Sequence, residues 1–113
     1  MISKKLKDAL EDKYKVYITK DDDGTYEVSV DTHTDYGEEF YETIYGKNDE
    51  ELLDSAYELW QNFDIDEHFD LWRGANRGEP STASQLLKAC ENYEEYCEEL
   101  YNTIKEVVKW HQS

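Results

Sequence analysis

Cations are scarce in this sequence. Twelve Lys and Arg stand against 28 Asp and Glu, a formal charge of −16 over 113 residues. Gripping DNA, RNA or an anionic membrane by charge needs clustered cations, so the composition argues against direct nucleic-acid or membrane binding. Long apolar runs are missing as well. No segment approaches the ~18 apolar residues of a membrane span. Met1 to Lys15 lacks the apolar stretch of a secretory signal. Cysteine is limited to Cys90 and Cys97. Seven residues of helix separate their Cα atoms by ~10.5 Å along the axis, beyond the ~7 Å that a disulfide spans. Two reduced thiols are the expectation, which fits a reducing cytosol.

Known chemical motifs are also missing. There is no Gly-rich phosphate loop, nucleophile elbow or HExxH. His33, His68 and His111 are isolated from one another in the sequence. The acid-rich stretches at Asp21–Gly24 and Asp64–Asp70 lack the Gly at position 6 and Glu at position 12 that a calcium loop requires. With 28 acids, some paired carboxylates are inevitable, so pairing alone says nothing of acid–base catalysis. The sequence predicts no enzyme, no metal and no cofactor.

Low hydropathy and high net charge also occur in disordered chains. Here ten Tyr, three Trp and three Phe, with a single Pro, supply the means to build a core. A chain of this length buries roughly two-thirds of its unfolded surface, and one domain over 1–113 is expected.

The apolar pattern gives the elements. Ile2, Leu6 and Leu10 recur every four residues and predict a helix to about Asp12. Alternation predicts strands over Tyr14–Thr19, Thr25–Asp31 and Glu39–Tyr45. Asp23-Gly24 makes a hairpin turn between the first two, and Thr32–Glu38 forms a longer loop before the third. Asn48 with Glu51 is a capping-box signature for a helix whose apolar face is Leu52, Leu53, Ala56, Leu59, Trp60 and Phe63. Asp64 with Glu67 reads as the cap of a short helix carrying Ile65, Phe69 and Trp72. Gly74, Gly78 and Pro80 end it. A long final helix runs from the cap Ser81 to about Trp110, with the seam Leu86, Cys90, Tyr93, Cys97, Leu100, Ile104 and Val107. That seam serves either the domain's own core or a dimer; its two Cys and one Tyr are unlike a strong coiled coil, so a monomer is expected. The order α-β-β-β-α-α-α is an α+β, two-layer domain around an antiparallel meander. Residues 1–73 form a core unit and 74–113 a C-terminal arm.

The acid is concentrated. Residues 1–20 carry +3, residues 21–70 carry −17 and residues 71–113 carry −2. Self-repulsion of this kind costs stability, and solubility needs only about 2–8 charges. Acids on alternate strand residues lie ~6.6 Å apart, and acids at i,i+4 on a helix ~5–6 Å apart. Both spacings are on the scale of successive phosphates along one DNA strand. A rigid array of this kind fits a Lys/Arg groove built for DNA, and tyrosines among the acids add contact area and hydroxyl donors.

Three stretches carry a family resemblance: "ISKKLKDALEDKYKVYI" (2–18), "TDYGEEFY" (34–41) and "NDEELLDSAYELWQNFDIDEHF" (48–69). Their layout resembles that of small acidic anti-CRISPR proteins from prophages and other mobile elements, which inhibit Cas9 as DNA mimics. The resemblance covers residues 1–73 and leaves Gly74–Ser113 as an extra. It implies a helix, a three-stranded meander and further helices. It also implies that acids of the second hairpin loop and of the segment after the capped helix occupy the site where Cas9 reads its PAM. That site uses arginines, which pair with carboxylates. The matching positions are Asp35, Glu38 and Glu39, with Asp64, Asp66, Glu67 and Asp70. The partner implied is a basic nucleic-acid-binding protein, a Cas9-type nuclease first. The alternative is a helix-mediated interaction module of a mobile element whose acid serves solubility.

Overall fold

The computed structural model describes residues 2–33, 39–64 and 83–112, with side chains at 2–31, 42–64, 88 and 90–109. Helix α1 (Lys4–Lys13) is followed by strands β1 (Lys15–Lys20), β2 (Tyr26–His33) and β3 (Glu39–Gly46), then helices α2 (Asp49–Gln61) and α3 (Ala83–Gln112). The chain is α+β, with an N-terminal helix, a three-stranded sheet and then helices. The described residues contain three helices where the sequence suggested four. The expected short helix over Ile65–Trp72 lies outside the described residues.

The sheet is antiparallel in the order β1-β2-β3. Its first turn follows the Asp-Gly signal. Gly24 N–H donates to the Asp21 carbonyl at 3.0 Å and Asp21 N–H to the Thr25 carbonyl at 2.8 Å. Gly24 takes φ +90, the left-handed region that closes a three-residue hairpin loop. The Asp23 carboxylate accepts from Thr25 N–H at 3.0 Å, which holds its pKa below the ordinary value.

Tyr14 departs from the expected strand start. It caps the C-terminus of α1, its N–H donating to the Leu10 carbonyl at 2.8 Å, and its ring is buried. The strand therefore begins one residue later, at Lys15.

One face of the sheet meets the helices. Val28, Val30 and Ile44 are fully buried with Leu6 and Leu10 of α1, Leu52 and Ala56 of α2, and Cys97, Leu100 and Ile104 of α3. Burying each Leu or Ile contributes roughly 1.5–3 kcal/mol. The predicted seam of α3, from Cys90 to Val107, faces this core, with Val108 added. From Tyr93 to Val107 the seam is thus occupied within the chain; the side chain of Leu86 lies outside the described residues. α3 is built into the same core as α1, α2 and the sheet.

Gly46 joins β3 to α2 at close quarters. A Cβ there would stand 2.7 Å from the Leu52 amide nitrogen and 2.9 Å from the Glu51 carbonyl carbon. The helix start packs against the strand end, with Ser55 Oγ accepting from Tyr45 N–H at 3.1 Å.

Candidate functional site

Of the seven acids implied by the resemblance, two fall on described residues. Glu39 opens β3 opposite His33. Asp64 is exposed just beyond α2. Asp35, Glu38, Asp66, Glu67 and Asp70 lie outside the described residues, and with them the expected convergence of the two acid groups.

The described acids of the 21–70 block divide by what they touch. Asn48 caps α2, its Oδ1 accepting from Glu51 N–H at 2.9 Å, while Glu51 Oε1 accepts from Lys47 N–H at 2.9 Å. The Asp49 carboxylate reaches across to the start of α1. It accepts from Ser3 N–H at 2.8 Å and from Ser3 Oγ–H at 2.6 Å. Ser3 Oγ in turn accepts from Leu6 N–H at 3.1 Å, so one carboxylate ties together the N-termini of two helices. These acids serve the fold.

Others face outward. Asp21, Asp22 and Asp23 crown the first hairpin, and Glu50, Asp54 and Glu58 recur every fourth residue on the exposed side of α2. That helical step sets carboxylates ~5–6 Å apart. Tyr57, beside this row, is 47% exposed. Its ring lies 5.3 Å from that of Tyr101, which stacks on Trp60 at 5.5 Å. The aromatic cluster fixes α2 against α3 and keeps the acid row rigid.

A second row runs along α3. Glu91, Glu95, Glu98, Glu99 and Glu106 are exposed. Lys13 donates to Glu99 Oε1 and to Thr103 Oγ1, both at 3.3 Å. Lys13, Glu95, Glu98, Asn102 and Glu106 are among the residues lining a shallow cleft of about 290 Å³ there. Among the described residues no group of three side chains is placed to hold a metal ion.

One acid was not foreseen. Glu42 stands opposite Val30 on the inward face of β3, and Tyr93 of α3 donates its hydroxyl hydrogen to Glu42 Oε1 at 2.6 Å. Burial raises the Glu42 pKa, and the Tyr93 hydrogen bond works against that rise. The Cys97 thiol is pushed up to about 12, by burial first and then by the negative charges of Glu42 and Glu94. The signal was present in the sequence: Glu42 has the same strand parity as Ile44, so the alternation that buries one turns the other inward. Glu42 is thus half-buried on the inward face of the sheet.

The surface that remains is suited to meeting cations with spaced carboxylates. Compared with known protein families, with curated proteins and with solved structures, the chain gives no match.

Proposed function

We propose that this protein is a stoichiometric inhibitor that imitates DNA. It occupies the Lys/Arg groove of a basic nucleic-acid-binding protein in the bacterial cytoplasm, a Cas9-type nuclease being the first candidate. The observation that carries this reading is the exposed row Glu50, Asp54 and Glu58 on a helix anchored by its Asn48 cap and by Asp49 on Ser3. Fixed carboxylates at phosphate-like spacing meet arginines without first being ordered, which lowers the entropic cost of binding. The charge of −17 over residues 21–70 supports it, since such a surface opposes folding and is retained against that cost.

The alternative, docking through an apolar helix face, needs a free seam. From Tyr93 to Val107 the seam of α3 is built into the chain's own core, which favours the acidic surface. No helix among the described residues is long and apolar enough to cross a membrane.

Within this reading Asp35, Glu38, Glu39, Asp64, Asp66, Glu67 and Asp70 make the contact with the PAM-reading arginines. Each carboxylate on a desolvated Arg contributes ~1.5–3 kcal/mol, against ~0–1 kcal/mol for a rim pair. Charge reversal tests it. Glu39→Lys or Asp66→Lys should weaken binding to a Cas9-type nuclease by roughly tenfold or more. Glu94→Lys with Glu98→Lys, on α3, should do much less. The reverse ranking would place the contact on α3.

A further inference from the structure

The described helices cover one face of the sheet. On the other, the register sets Tyr17 opposite Ser29 and Ser29 opposite Thr43, with Tyr45 opposite Glu27 in the next row. Tyr17 is 50% exposed and Tyr45 51%. Ser29 and Thr43 share a hydrogen bond of 3.0 Å between their hydroxyls, which ties the centre of this face together. Rigid rings around a small hydroxyl-bearing floor are the composition of protein-binding surfaces, where tyrosine gives large contact area at low entropic cost.

Two further features point to the chemistry of the occupant. The Lys15 ammonium already lies 5.6 Å from the Tyr17 ring centroid, so this ring accepts a cation over its face. Glu27 and Asp31 project from the same face four residues apart on β2, hence ~13 Å apart, with Glu27 directly opposite Tyr45.

We propose that this sheet face, which the described helices leave open, is a docking surface for an arginine-bearing segment of a basic protein. The inference rests on the proposed function for the partner's charge and adds a second contact surface to it. A second copy of this chain would bring another −16 and repel. Arginine is favoured over lysine because a guanidinium stacks flat on a tyrosine ring while its edge still donates to a carboxylate. Glu27, directly opposite Tyr45, supplies that carboxylate.

The test uses the full chain and two short peptides of equal length and charge, one alternating arginine and serine, the other lysine and serine. The arginine peptide should bind roughly 3- to 10-fold tighter, with the largest amide shifts in β1, β2 and β3 at the outward positions. Tyr17→Ala with Tyr45→Ala should reduce its affinity to that of the lysine peptide and leave the lysine peptide unchanged. Tyr17→Phe with Tyr45→Phe keeps the rings and should keep the preference, which separates ring contact from loss of fold. Equal affinity for the two peptides, shifts confined to the acid rows of α2 and α3, or dimerisation through this face would each overturn the proposal. If the arginine preference is absent but acid-dependent binding to a nuclease persists, the docking surface fails and the mimic reading stands. If the preference holds while no nuclease binds, the mimic reading fails alone.

Discussion

Tyr93 and Glu42, 51 residues apart in the chain, share a 2.6 Å hydrogen bond beneath the sheet. The phenol is the donor and the carboxylate the acceptor, and the Phe63 ring stacks on that of Tyr93 at 5.6 Å. Burial holds the Glu42 carboxyl above its ordinary 4.5, so the folded state keeps this proton to higher pH than the unfolded state does. The stability that the neutral form provides is complete below the unfolded value and is lost as pH rises through the elevated one. Glu42→Gln retains an acceptor for Tyr93 and removes the charge. It should stabilise the protein at pH 7 by roughly 0.5–1 kcal/mol, with the gap closing in acid. Tyr93→Phe should cost ~1.5–3 kcal/mol at pH 7, because the carboxylate loses its donor. Denaturant melts at a series of pH values check both; a Gln variant less stable than the parent at pH 7 contradicts the account.

Asp49 and Asp54 sit five residues apart on α2 and should respond oppositely to neutralisation. Asp49 accepts two hydrogen bonds from Ser3, and Asp49→Ala should cost ~1–3 kcal/mol. Asp54 is exposed on the acid row. Asp54→Asn relieves self-repulsion and should leave stability unchanged or raise it by a few tenths of a kcal/mol. Thermal melts of the two variants at low salt make the comparison.

Gly46→Ala should destabilise by about 1–3 kcal/mol. The added Cβ meets backbone atoms of Glu51 and Leu52 at 2.7–2.9 Å, and neither strand nor helix can yield independently. Gly24→Ala is strained for a different reason, its positive φ, and should cost about 1–2 kcal/mol with no clash to relieve. Melts of the two variants check the magnitudes. A second-site change at Glu51 should not rescue the Gly46 variant, because the nearest contact is the Leu52 amide.

Cys90 and Cys97 are buried thiols outside any disulfide, and the Cys97 thiol is pushed up to about 12. The thiolate is the reactive form, so a bulky thiol reagent should label neither residue in native protein at pH 8 and both after unfolding. Rapid native labelling of both would contradict their burial.

Sequence periodicity carried the sheet and the inward seam of α3 because both rest on local alternation of apolar residues. Asp23-Gly24 and Asn48 with Glu51 were legible for the same reason: each pair acts within four residues. The parity of Tyr14 with Val16 and Ile18 points to a strand; the helix cap that claims its N–H is a competing local bond that alternation does not register. Asp49 on Ser3 and Tyr93 on Glu42 join residues about 50 apart, a distance at which no spacing rule applies. In a chain with 28 acids, composition could not separate carboxylates that hold the fold from those that face outward. Only the burial and bonding of each one did so.

The central claim is that the acids imitate nucleic acid, and the ionic-strength dependence of binding to a Cas9-type nuclease tests it most directly. Affinity should fall by roughly tenfold or more between 50 and 200 mM salt, because exposed charge contacts are screened over a Debye length of ~7–14 Å in that range. Excess PAM-bearing duplex should displace the protein from the nuclease. Affinity that is insensitive to salt, with no displacement by DNA, would contradict the account.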